Sequence, residues 1–170
     1  DEANLNYDDL NTVAVGIGPG SYTGIRLSCS VAQGISFSQN IKGVVLSSLE
    51  LLSLELNIKG SFQEVVGISE SNLGNIYIAH TSFNDGNFAS SFEFIPVEEF
   101  RLENYPEESV FVGEGCKLFA KVENQLPNSS PKAFYLHEYI SCFANDTDFI
   151  EPEEILPIYL NDENSWRKLK

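Results

Sequence analysis

The chain has 170 residues, 42% of them apolar and 12% aromatic, which suffices for one substantial core or two small ones sharing a cleft and excludes a disordered tail. No run approaches the about 20 uninterrupted apolar residues of a membrane helix, because Glu50 and Glu55 break the richest stretch, Val44 to Ile58. Ten Lys and Arg against 25 Asp and Glu give a net charge of −15, which repels phosphate backbones and argues against direct RNA binding.

In chain order, Thr12 to Ile17 is a short apolar run of β-branched character that ends in the cluster Gly16-Ile17-Gly18-Pro19-Gly20, a buried strand followed by a tight turn. Ser21 opens a helix that runs to Gln39, with the Ser21 and Thr23 hydroxyls available as caps. Gly43 to Leu46 is a second buried strand, and Ser47 or Ser48 caps a helix through Leu56 whose Leu49, Leu52 and Leu56 keep helical spacing. This βαβα order predicts a parallel pair of strands. From Glu64 the texture changes to three strands, Glu64 to Ser69, Asn75 to Phe83 and Ser91 to Ile95, joined by Asn/Gly turns as an antiparallel meander. A short helix at Pro96 to Phe100, a strand at Val110 to Val112 and a helix around Cys116 to Val122 follow Gly/Pro signals. Ala133 to Tyr135 and a helix from His137 to Phe143 finish the unit, and the apolar end Ile155 to Leu160 is expected to dock back onto the first unit.

Three widely spaced cysteines, Cys29, Cys116 and Cys142, and no basic-then-apolar leader point to a reducing cytoplasm. The chain contains no methionine, so residue 1 is expected not to be the translational start, and Asp1 to Leu10 reads as a connector preceded by a missing segment. The acid-rich stretches Glu98 to Glu108 and Asp146 to Glu154 read as solvated faces. Arg167, Lys168 and Lys170 make the tail the one locally basic site.

Two features stand out as candidate sites. The turn with Gly18, Gly20, Ser21 and Thr23 lies between a strand and a helix, where free backbone N–H groups suit an anion, or where glycines simply permit a sharp turn and close packing. It lacks both the third glycine of a dinucleotide fingerprint and the Lys-Ser/Thr pair of a P-loop. The helix behind it carries Gly24, Ser28, Ala32 and Ser36 at four-residue spacing, a stripe that a neighbouring backbone could approach closely, with Ile25 on an adjoining face. Catalytic candidates are thin. His80 and His137 lack metal-ligand spacing, the cysteines lack a paired basic motif, and Ser21 is not in a nucleophile elbow, so no catalytic residue, metal or cofactor is expected.

At Gly18-Pro-Gly-Ser-Tyr-Thr-Gly-Ile-Arg26, with Ala32-Gln33-Gly34 and Val45-Leu46-Ser47-Ser48-Leu49-Glu50 after it, the chain closely resembles the TsaB (YeaZ) family. Gly74-Asn75-Ile76-Tyr77, Gly113-Glu114-Gly115 and Pro157-Ile158-Tyr159-Leu160 with Trp166 and Lys168 extend the resemblance over most of the chain. The resemblance implies an α/β chain of the actin, hexokinase and Hsp70 superfold with two ribonuclease-H-like lobes. The first lobe, residues 1–57 completed by the tail 147–170, would be incomplete because the family's opening β-meander and first helix are missing; residues 58–146 would form the second. It also implies a non-catalytic subunit that pairs with the TsaD transferase through helices of the first lobe, including the one holding Gly24, Ile25, Ser28, Ala32 and Ser36. A TsaE-type ATPase would complete the assembly, homodimers would use much the same surface, and tRNA would be met only indirectly. That assembly attaches threonylcarbamoyl, delivered as its adenylate, to the adenosine beside the anticodon of ANN-decoding tRNAs. Glu70 and Asn72 replace the usual Asp and Arg, and Asn161 replaces a tail Arg, so ion pairs at those positions are not expected. Two alternatives are a nucleotide-using enzyme of the same superfold and a glycoprotease-type metallopeptidase.

Overall fold

A computed structural model describes residues 6–71, 74–84, 86–119 and 124–158. Strand β1 (Thr12–Gly16) and strand β2 (Lys42–Leu46) pair in parallel, Thr12 opposite Lys42 through Gly16 opposite Leu46, as the βαβα pattern predicts. Helix α1 (Tyr22–Gln39) makes the crossover between them. Helix α2 (Ser48–Gly60) follows with a reciprocal cap: the Ser47 hydroxyl accepts from the Glu50 N–H at 3.0 Å, and Glu50 Oε2 accepts from the Ser47 N–H at 2.7 Å.

The second sheet has the order β5-β4-β3-β6-β7. Strands β3 (Glu64–Glu70), β4 (Asn75–Asn84) and β5 (Asn87–Pro96) are the expected antiparallel meander, with β5 starting four residues earlier than its apolar run suggests. Strand β6 (Val110–Val112) adds in parallel to β3, and the two-residue β7 (Gln125–Leu126) adds in parallel to β6. Such a short strand in polar sequence leaves no periodicity to detect.

Two expected helices are only single 3₁₀ turns, Val97–Glu99 and Glu114–Leu118, the latter expectation running on into residues 120–122 outside the described set. Helix α3 (Phe134–Cys142) instead takes in the separate run expected at Ala133 to Tyr135. The chain end returns to the first sheet as expected. Ile150 and Gly43 exchange backbone hydrogen bonds of 2.9 Å, Ile155 is fully buried, and the Ile158 N–H donates to Ile17 O at 3.0 Å.

The two sheets share a core. Every residue of α2 from Leu49 to Leu56 is buried, because the helix lies between β2 and the β3-β4 face and α3 closes it from the side. Its leucines share one cluster with Val44 and Leu46 of β2, Val65, Ala79 and Val112 of the second sheet, and Tyr135 and Tyr139 of α3. Close approach is built into β3: a Cβ on Gly67 would lie 2.9 Å from Leu49 Cβ and 3.3 Å from Leu49 O. The other face of the second sheet packs Val66, Ile68, Ile76 and Ile78 against Phe100, Tyr105 and Phe111. A third cluster, Val15, Ile17, Cys29, Ala32 and Ile155, joins α1 to β1 and the returning chain end.

Candidate docking face and glycine turn

The glycine turn is explained by what covers it. Gly18 has φ +112, a conformation side chains rarely adopt, and a Cβ there would lie 3.0 Å from Ile25 Cδ1. The same Ile25 side chain packs over Gly20, and the Ser48 N–H donates to Gly18 O at 2.6 Å, tying the turn to the start of α2. Ser21 is the N-cap of α1, its hydroxyl accepting from the Gly24 N–H at 3.4 Å. Gly20, Ser21 and Thr23 remain at the surface. The one cation of α1, Arg26, lies over the Tyr22 ring, 3.7 Å from its centroid.

The small-residue stripe does not form a single face. Gly24 and Ser28 are exposed, with the Ser28 hydroxyl returned to Gly24 O at 3.0 Å, while Ala32 is 4% exposed and Ser36 0%. Ala32 packs in the cluster with Val15, Ile17 and Ile155, flanked by the half-buried Ile25, and the Ser36 hydroxyl donates to Ile41 O. The physical reason is helical drift: four residues span 400°, so a row at four-residue spacing turns by 40° per step and winds from the solvent side onto the core. The stripe expected at Gly24, Ser28, Ala32 and Ser36 is therefore corrected at its second half, which no partner can reach in the folded chain.

The outward face lies elsewhere on the same helix. Leu27 is 64% exposed, Val31 53% and Phe37 59%, and Gly34 has nothing within 4 Å of where a Cβ would stand. Leu27, Val31 and Gly34 follow the i, i+4, i+7 row, with Phe37 one step further along. Between Tyr22 and Gln39 only Arg26 is charged, in a chain whose net charge is −15. Sequence reasoning passed over these residues because it followed the glycine and serine spacing; the missing charge was the available signal.

Elsewhere the groups that could carry chemistry are quiet. His80 meets Glu64 at 2.8 Å and the Tyr105 ring edge-on, and His137 is exposed on α3. Cys29 and Cys116 are buried, and desolvation pushes the Cys116 thiol up to about 12, so it is a poor thiolate; Cys142 is exposed. Among the described residues no group of three or more His, Cys, Asp or Glu is placed to hold a metal ion, and no helix is long and apolar enough to cross a membrane. Glu70 is exposed at the end of β3; Asn72, Asn161 and the basic tail lie outside the described residues.

Comparison with known proteins agrees with this architecture. The family model described as TsaD, tRNA N6-adenosine threonylcarbamoyltransferase, matches residues 1–126. The chain is 26% identical over 179 residues to the tRNA threonylcarbamoyladenosine biosynthesis protein TsaB of Haemophilus influenzae, covering 97% of the chain and 76% of that protein. It is 24% identical over 186 residues to the Escherichia coli TsaB, covering 95% and 75%. The structure superposes on YeaZ from Pseudomonas aeruginosa with a TM-score of 0.78 at 21% identity, over 94% of this chain and 78% of that one, which gives it the actin-like fold. The chain belongs to the family of the TsaD model and, within it, to the TsaB (YeaZ) proteins of tRNA threonylcarbamoyladenosine biosynthesis.

Proposed function

We propose that the chain is a non-catalytic partner subunit that docks a TsaD-type transferase on the outer face of α1. The observation that carries this reading is the row Leu27, Val31 and Phe37, each more than half exposed on a helix whose one charge is Arg26. Exposed apolar residues of this size, grouped on one rigid element, are the composition of an association surface rather than of a solvated one. Gly24 and Gly34 add places where a partner backbone could come close.

In this reading the transferase carries the chemistry, moving threonylcarbamoyl from its adenylate to the adenosine beside the anticodon. The TsaE-type ATPase joins through the complex. A second copy of the chain uses the same face when the transferase is absent. The tRNA is met through the partner, since a charge of −15 opposes the counterion release that drives RNA binding. The division into a first lobe to residue 57, completed by the returning end, and a second lobe to residue 146 belongs to the same reading, as does a cytoplasmic setting.

The test is titration of the TsaD-type subunit into the protein by calorimetry, with Val31→Arg as the variant. A complex with wild type and its loss with Val31→Arg, at unchanged melting temperature, is the expected pair of results. Normal binding by the variant removes α1 from the interface. The rival reading, a nucleotide-using enzyme drawing on Gly18, Gly20, Ser21 and Thr23, requires a saturable heat of ATP binding to the chain alone, which the same instrument detects.

A further inference from the structure

Helix α1 turns an apolar face to solvent, and the described part of the chain ends beside that same helix. Ile155 and Ile158 pack in the cluster with Ile25, Cys29 and Ala32 of α1, and the Ile158 N–H donates to Ile17 O at 3.0 Å. The last stretch runs along β1 in the strand's own direction, from Ile155 over Gly43, which is opposite Val13 in the register, to Ile158 at Ile17. Ile17 directly precedes the glycine turn from which α1 starts, so the chain leaves the described residues at the N-terminal end of α1.

The composition of residues 159–170 suits the exposed face of that helix. These twelve residues hold Tyr159, Leu160, Leu169 and Trp166, the single tryptophan of the chain. They also hold three of its ten Lys and Arg but only two of its 25 acids, so the field of the acidic body draws the segment back. The polar run Asn161 to Ser165 comes first, where the chain has to reverse from the direction of β1 to that of α1, and its Asp162 and Glu163 are opposite in sign to Arg26, the one charge of α1. Trp166 and Leu169 follow, at a three-residue spacing that shares one face in a helical turn. Reach is ample: twelve extended residues span about 40 Å, against about 27 Å for the 18 residues of α1.

We propose that residues 159–170 fold back over the outer face of α1, with Trp166 against Leu27 and Val31, and that a partner docks on this face only by displacing them. The cover stands on the position of the chain end and the make-up of the segment; the displacement rests on the docking reading as well. Leu27 and Val31, 64% and 53% exposed, leave water in this arrangement, and an indole brings a larger apolar area than any other side chain. Because the segment is tethered at Ile158, a contact too weak to form between separate molecules is filled within one chain, and it still yields to a partner with a larger interface.

The experiment follows Trp166 in the full chain by acrylamide quenching of its fluorescence at two protein concentrations, with N-acetyltryptophanamide as the fully exposed reference. Quenching is expected to be several-fold weaker than for the reference, equal at both concentrations, and restored towards the reference in Val31→Arg and in Leu27→Arg at unchanged melting temperature. Wild type that quenches like the reference overturns the cover. Protection lost on dilution also overturns it, since the occupant is then a second copy, and so does protection that survives both substitutions, since Trp166 is then docked elsewhere. For the displacement, Trp166→Ala is expected to bind the TsaD-type subunit several-fold more tightly than wild type in calorimetry, and equal or weaker binding overturns it. Absence of binding by both proteins overturns the docking reading and the displacement together, while the quenching of the chain alone still decides the cover.

Discussion

Helices α1 and α2 are consecutive, both apolar and both poorly amphipathic, yet they end in opposite environments. Helix α2 contains Glu50 and Glu55 and is buried from Leu49 to Leu56; α1 contains a single charge and shows Leu27, Val31 and Phe37 to solvent. Charge content therefore does not tell which helix is inside. What decides it is the number of neighbours: α2 has a sheet on each side and α3 beside it, whereas α1 has β1, β2 and the returning chain end on one side only. A helix with a single charge and one covered side leaves an apolar face for something else to cover, and a charged helix with all sides covered must neutralise its acids internally.

The two acids of α2 do so in different ways. Glu55 accepts from Lys59 Nζ at 2.5 Å and Lys132 Nζ at 2.8 Å. Burial works against its ionised form, but the hydrogen bonds from Lys132 and Lys59 outweigh it and hold the carboxyl below the usual range. Among the described residues no cation pairs with Glu50, and burial shifts it the other way.

The largest expected effect separates the two sides of α1. Ala32→Arg places an unpaired charge in the cluster with Val15 and Ile155 and is expected to cost on the order of 3–5 kcal/mol of folding stability, read as loss of the cooperative thermal transition. Its neighbour Val31→Arg is expected to leave the melting temperature within a few degrees of wild type while weakening association by about 2 kcal/mol or more, read in a binding titration. If Ala32→Arg melts like wild type, the inward side of α1 has been misassigned.

Within α2, Leu54→Ala removes a fully buried side chain from the core shared by the two sheets and is expected to cost about 2–5 kcal/mol in urea unfolding. One transition, reported alike by probes in both sheets, is expected. Two separable transitions would break the picture of a common core. Across the same contact, Gly67→Ala sets a methyl against the Leu49 backbone and is expected to cost about 1–3 kcal/mol, since the obstruction includes main chain.

Smaller effects sharpen the contrast between the acids. Lys132→Ala, at a pair whose lysine is about half exposed, is expected to cost no more than about 1 kcal/mol. With its carboxyl held low, Glu55 contributes stability above its unfolded value and loses it as pH falls, the reverse of Glu50. A melting series over pH is thus expected to lose part of its decline with falling pH in Lys132→Ala, and the part of its decline with rising pH that Glu50 contributes in Glu50→Gln. The same response to pH in both variants would mean that the two acids are not distinguished by their cations.

By itself the sequence determined the order of elements, the parallel β1-β2 pair, the meander and the TsaB kinship, because each rests on local signals: period-two runs, caps, Asn/Gly turns and contiguous motifs. The start of α3 and the two-residue β7 were not legible, since neighbours rather than local preference fix them. In the site, the turn glycines were recognisable as a turn, but that Ile25 fills the space over them appears only once α1 folds back. The four-residue spacing of Gly24, Ser28, Ala32 and Ser36 was visible too, yet spacing fixes only relative angles around a helix. Which of those angles points at Ile155 and which at solvent was decided by tertiary packing, because the chain end that covers Ala32 arrives more than a hundred residues later.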